Sequence, residues 1–107
     1  MTTFDRREEG FERHFVHDEE TRFRALARRN RRLGQWAARH LQLTGVAVED
    51  YENALIAADL QEHGEEDVFR KIRGDFDAEG VTVSDAEIRR QMYELLDQVL
   101  VEIQAKG

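Results

Sequence analysis

Residues 84–103 read SDAEIRRQMYELLDQVLVEI. Ser84-Asp85-Ala86-Glu87 is a capping box: the serine oxygen can accept from the N–H three residues on, and Glu87 can reach back to the start of the turn. Val83, just before the cap, is placed to staple onto Ile88. Behind the cap, Ile88, Met92, Leu95, Leu96, Val99 and Ile103 recur at helical spacing and form one apolar face. The 107 residues contain no proline, and β-branched residues are not clustered, so the rest of the chain is also read as helix.

Three more amphipathic helices precede this one. The first is expected from Asp18–Glu20 to about Leu43, with acids on its first turn, arginines later and Gly45 as its stop. Its inner face reads Phe23, Leu26, Asn30, Leu33, Ala37 and Leu41. The second runs from about Val46 to Glu62, with Val48, Tyr51, Leu55 and Ala58 on one face and Ile56 and Leu60 on another. The third spans about Glu65 to Glu79, with Val68, Phe69, Ile72 and Phe76 inward and Gly80 as cap. Four amphipathic helices with short joints predict an all-α four-helix bundle over residues 19–107.

With 40% apolar and 36% charged residues, the composition is that of one heavily solvated domain. The chain has no cysteine, which excludes disulfides and thiolate chemistry. Its apolar runs are too short to span a bilayer, and the charged N-terminus lacks the apolar region of a signal peptide. A cytoplasmic location is expected. The net charge of −7 is segregated. Residues 1–20 carry three arginines and seven acids, residues 21–43 seven arginines and no acid, and residues 44–107 six basic and sixteen acidic residues. Such segregation can steer one face toward a partner.

The first eighteen residues do not join the bundle pattern. Phe4, Phe11 and Phe15 fall within an arc of about 40° on a helix, amid mostly polar neighbours. That arc is centred roughly 65° from the inner face of the next helix if the two are continuous. Two readings stay open: a mobile segment whose phenylalanines are anchors for a partner's groove, or a tail that bends back and caps the bundle.

The candidate sites each carry a plainer alternative. Arg22, Arg28, Arg29 and Arg32 belong to a dense arginine run that could present planar forks to an anionic ligand, nucleotide or nucleic acid. The same run can pair with the acidic remainder of the chain. His14 and His17 flank a turn beside Asp18, but a metal site needs three or more converging ligands; a pH-dependent interface suits them better. Asp75 to Gly80 resembles the opening of a calcium loop, yet the twelfth place is Ala86 where a bidentate glutamate is required. No Gly-x-Ser-x-Gly elbow, Walker loop or His-Glu-x-x-His helix occurs, so no enzyme, metal or cofactor is expected.

The stretches Phe4-Asp5-Arg6-Arg7-Glu8-Glu9-Gly10-Phe11-Glu12, Phe15-Val16-His17-Asp18-Glu19-Glu20, Ala27-Arg28-Arg29-Asn30 and Leu33-Gly34-Gln35-Trp36-Ala37-Ala38 carry a resemblance. It continues through Ala58-Asp59-Leu60, Glu65-Glu66-Asp67-Val68 and Arg89-Arg90-Gln91-Met92. Together they resemble the zeta subunit of alphaproteobacterial ATP synthase, an inhibitor of its catalytic head. The resemblance implies a mobile inhibitory segment over residues 1–18 that becomes helical at an interface of the α and β subunits and reaches the γ stalk, blocking rotation in the hydrolytic direction. Phe4, Arg7, Phe11, Arg13, Phe15 and Asp18 are its implied contact residues. It further implies a cytoplasmic protein held at the inner membrane only through ATP synthase, monomeric when free and without nucleic acid. Gly10 departs from a strong helix former and raises the ordering cost on binding. Gly10→Ala is therefore expected to tighten inhibition about two- to five-fold. Two rivals remain: an arginine-rich module for nucleotide or nucleic acid, and an adaptor that docks on ATP synthase without blocking turnover.

Overall fold

The computed structural model describes residues 6–62 and 64–106. Within them the chain is helical, with no strand. The elements are α1 (Arg6–Arg13), α2 (Glu19–His40), α3 (Val46–Glu62), α4 (Glu65–Ala78) and α5 (Asp85–Lys106). The last four are the helices expected from periodicity. They close a ring in which α2 packs on α3 and α5, and α4 packs on α3 and α5. The fifth helix, α1, is short and lies against α5. The N-terminal stretch is thus folded back on the bundle from Arg6 onward.

Two apolar clusters fill the interior. The larger joins Leu33, Trp36 and Ala37 of α2 to Tyr51, Leu55, Val68, Phe69, Ile72, Phe76, Ile88 and Met92 of the other three. It takes no residue from α1. The smaller joins Phe11 and Val16 to Ala25 of α2 and to Leu96, Val99 and Leu100 of α5. The half of α5 beyond Met92 therefore has α1 as part of its cover.

Helix α2 buries two faces rather than one. Asn30 and Gly34 look toward α3: Asn30 bonds Asp59, and a Cβ on Gly34 would stand 2.8 Å from the Glu52 Cα. Ala25 and Arg29 look toward α5, with Ala25 among its apolar side chains and Arg29 bonded to the Met92 carbonyl. The helix breaks between α1 and α2, so the angular offset expected for one continuous helix does not apply. Phe23, assigned inward from its spacing, is instead 53% exposed.

Local chemistry sets the helix ends. Asp18 caps α2 by accepting from Thr21 N at 2.9 Å, and the Thr21 hydroxyl, followed by the Thr21 and Glu20 N–H groups, lowers its pKa. Ser84 accepts from Glu87 N at 3.0 Å. The Glu87 carboxylate goes to Arg90 and Gln91, so half of the expected capping box forms. Helices α1, α2 and α4 all stop in Schellman turns. Their left-handed residues are Phe15, Gln42 and Gly80, with 6→1 bonds from Val16 to Phe11, Leu43 to Ala38 and Val81 to Phe76. Gln42 therefore ends α2, three residues before the expected Gly45.

Candidate functional site

The candidate site is the face of α1 and the surface that receives it. Phe11 is 2% exposed and sits among Ala25, Leu96, Val99 and Leu100. The Arg22 guanidinium covers its ring at 4.8 Å. Val16, brought round by the Schellman turn, packs in the same cluster. The sequence produces this locally: a helix that ends with a left-handed residue returns its C″ side chain to the residue five places back.

One turn earlier on α1, Arg7 enters a polar network. Its Nη1 donates to Asp59 Oδ1 at 3.0 Å, to Asp59 Oδ2 at 3.2 Å and to Glu65 Oε1 at 3.0 Å. Burial works against the charge on Arg7, and the two carboxylates more than restore it, raising its pKa. Beneath it Arg29, fully buried, donates to both oxygens of Glu65, to the Met92 carbonyl at 2.8 Å and to Asn30 Oδ1 at 2.9 Å. Asn30 Nδ2 then donates to Asp59 Oδ2 at 2.8 Å. Four helices, α1 to α4, meet at this network, with α5 contributing a carbonyl.

Other contacts fasten the ends of α1. Glu8 accepts from Arg22 Nη1 at 3.0 and 3.1 Å. Arg13 donates to the Tyr93 hydroxyl and lies 3.5 Å from Asp97. Arg6 and Arg13 both lie over the Tyr93 ring. On its outer flank α1 borders an open groove of about 420 Å³, lined by Phe23, Leu26, Ile56 and Leu60 among others. Phe15 is 80% exposed and holds φ 58°. Its side chain stands in water on a backbone that bulky residues avoid.

The six contact residues implied by resemblance therefore part company. Arg7, Phe11 and Arg13 engage the bundle, Asp18 caps α2, Phe15 faces solvent, and Phe4 lies outside the described residues. The four arginines do not share one open face: Arg22 is held by Glu8, Arg29 is buried, Arg32 binds Glu102 at 2.6 and 3.0 Å, and Arg28 is exposed. Arg24 and Arg31 also reach acids, Glu20 and Glu52. Much of the positive stretch thus neutralises its own acidic bundle. The Arg7–Asp59–Glu65–Arg29 network was missed. Its signal was Arg29 itself, four residues from Ala25 and from Leu33, where a solvated arginine does not belong.

Among the described residues, no three His, Asp or Glu side chains converge as a metal site, and no helix is long and apolar enough to cross a membrane. What the geometry defines is a helical bundle bearing a short N-terminal helix docked on it through Phe11, Arg7 and Arg13. The family model described as ATPase inhibitor subunit zeta matches residues 1–102, and the chain belongs to that family. No curated relative matches it in sequence.

Proposed function

We propose that this protein inhibits ATP hydrolysis by the F-type ATP synthase, with residues 1–18 as the inhibitory segment. The segment leaves the bundle, enters an interface between the α and β subunits of the catalytic head, and obstructs the γ stalk. The observation that carries this reading is the placement of the phenylalanines. Phe15 is held in solvent on a strained turn, while Phe11 is covered by a face of the bundle that the larger core does not use. The combination of exposure and a costly backbone conformation at Phe15 supports its reading as a contact for a partner.

Arg7 and Phe11 cannot serve the bundle and a partner together, so docking of α1 competes with inhibition. The apparent affinity for the catalytic head falls by the fraction of molecules in which α1 is released. The test is hydrolysis by the cognate catalytic head with the full chain or with a fragment beginning at Glu19. The full chain should inhibit and the fragment should not. Equal inhibition by the two would exclude the segment as the inhibitory element.

A further inference from the structure

His14 follows α1 directly and lies against α5, its side chain 13% exposed. Its Nε2 stands 2.7 Å from Asp97 Oδ1 and its Nδ1 2.9 Å from Gln104 Oε1. The Gln104 amide nitrogen donates to the carbonyl of His14 itself. A backbone carbonyl only accepts, so the amide is fixed with its nitrogen there and its oxygen toward Nδ1. An ionised Asp97 carboxylate also only accepts. Both ring nitrogens therefore face acceptors. A neutral imidazole has one N–H for the two; an imidazolium donates to both.

We propose that His14 is a proton-operated clamp: its protonated ring holds α1 on α5, and loss of the proton loosens the helix for release. The consequence for inhibition rests on residues 1–18 being the inhibitory segment, but the clamp itself does not. The surrounding charges pull both ways, with Asp97 favouring the proton at 2.7 Å and Arg13 opposing it from the same oxygen at 3.5 Å. From α5, Asp97 faces the ring. From α1, Arg13 shares Asp97 at 3.5 Å and lies 3.9 Å from Glu9. Tyr93 is occupied by Arg13 and lies under Arg6. From α2, Arg22 is turned to Glu8 and to the Val16 carbonyl. The arginines stay charged throughout the neutral range, so the change enters through the imidazole, the side chain suited to switching there. Because docking takes up a proton, the ratio of docked to released α1 rises as pH falls, by at most about tenfold per pH unit for a single proton.

The experiment is a methyl NMR titration of the full chain. Leu96 and Leu100 reach the backbone of α1 at Gly10 and pack with Phe11, so their methyl shifts report docking through the aromatic ring. Between about pH 8.5 and 5.5, within the range where histidine changes charge, these methyls should move toward the docked position. His14→Gln should flatten the titration. Asp97→Asn should flatten it too, because a neutral amide can offer the ring a donor or an acceptor. His17→Gln, on the exposed neighbouring turn, should leave it as in the native chain. Flat methyl shifts in the native chain, or a titration that survives both His14→Gln and Asp97→Asn, would overturn the clamp. A parallel hydrolysis assay, read as the native chain relative to His14→Gln, should show faster onset of inhibition at the higher pH. Methyls that titrate while inhibition does not follow would leave the clamp standing and remove the released segment as the inhibitor.

Discussion

Arg7 Nη1 lies 3.0 Å from Glu65 Oε1, the same oxygen that receives Arg29 Nη2. One carboxylate thus serves two guanidinium groups with different loyalties. Arg29 belongs to the bundle and never leaves it; Arg7 belongs to the helix that the proposed function requires to leave. When α1 goes, Glu65 keeps Arg29, while Asp59, 6% exposed in the docked state, loses the Arg7 cation and keeps the Asn30 amide. Release therefore costs the Arg7–Asp59 pair, a cost that a partner's contacts must offset.

Glu65 should be among the most sensitive positions for stability. Burial pushes its carboxyl up, while Arg29 and then Arg7 pull it the other way and hold it below its usual value. A depressed carboxylate contributes stability above its unfolded range, and that contribution is lost as pH falls through the folded value. Glu65→Ala leaves Arg29 buried without its partner and should cost about 3–5 kcal/mol in urea unfolding. Arg7→Ala removes only the outer cation and should cost about 1–3 kcal/mol. Between pH 7 and the acid limb, Glu65→Gln should lose stability less steeply than the native chain; an identical pH profile would place the acid sensitivity elsewhere.

Phe11 and Phe15, four residues apart, should separate stability from inhibition. Phe11→Ala opens a cavity among Leu96, Val99 and Leu100, which should destabilise the fold by about 3–5 kcal/mol. Phe15→Ala removes a ring that touches little and should stay within about 0.5 kcal/mol of the native stability. Both should weaken inhibition by about 1–3 kcal/mol, the usual range for aromatic anchors. Phe15→Gly relieves the φ of 58° and should raise stability by about 1 kcal/mol while still weakening inhibition. Unfolding curves read beside inhibition titrations check all three.

The bundle was legible because α2 to α5 each announce themselves by periodicity and by a start or stop residue. Ile88 to Ile103 behind Ser84, and Val68 to Phe76 behind Glu65, needed no tertiary information. The docking of α1 was half legible. The stripe Phe11–Phe15 was visible, but its two rings have opposite fates because a Schellman turn falls between them, and a left-handed phenylalanine is not something propensity suggests. Arg29 was half hidden by its neighbours: inside a run of seven arginines residue type does not single it out, and only its i±4 spacing from Ala25 and Leu33 does. Gln42 ended α2 for a similar reason, since turn geometry there follows from packing of Leu41 and Leu43 on the core rather than from a glycine.

Removing residues 1–18 should leave the larger cluster whole, because it begins at Leu33. The fragment from Glu19 should show a native-like helical spectrum and one cooperative transition, with its midpoint lowered. Losing the cover of Phe11 alone removes about 2–3 kcal/mol of apolar burial. Leu96 and Leu100 become exposed, so the fragment should also bind a hydrophobic dye that the full chain does not. A fragment that is unfolded at 25 °C would make α1 an integral part of the core rather than a separable cover.

Gly10 tests whether the docked helix is the state that competes with inhibition. The sequence alone argues that Gly10→Ala, by easing the ordering of a free tail, tightens inhibition. The structure changes the reference state. Residue 10 is already helical and buried, and an added Cβ would meet Leu96 at 3.7 Å and Leu100 at 4.0 Å, ordinary contact without a clash. Alanine therefore favours the docked helix by about 0.5–1 kcal/mol through propensity, with a small contact gain in addition. If the segment is also helical in the catalytic head, the propensity gain appears on both sides of the exchange and cancels. Gly10→Ala should then raise the unfolding free energy while leaving inhibition unchanged to within about twofold. A two- to five-fold tightening would mean that the free segment spends most of its time off the bundle. A clear loss would mean that the methyl meets the partner's wall, or that its contact with Leu96 and Leu100 holds α1 down more strongly than propensity alone predicts.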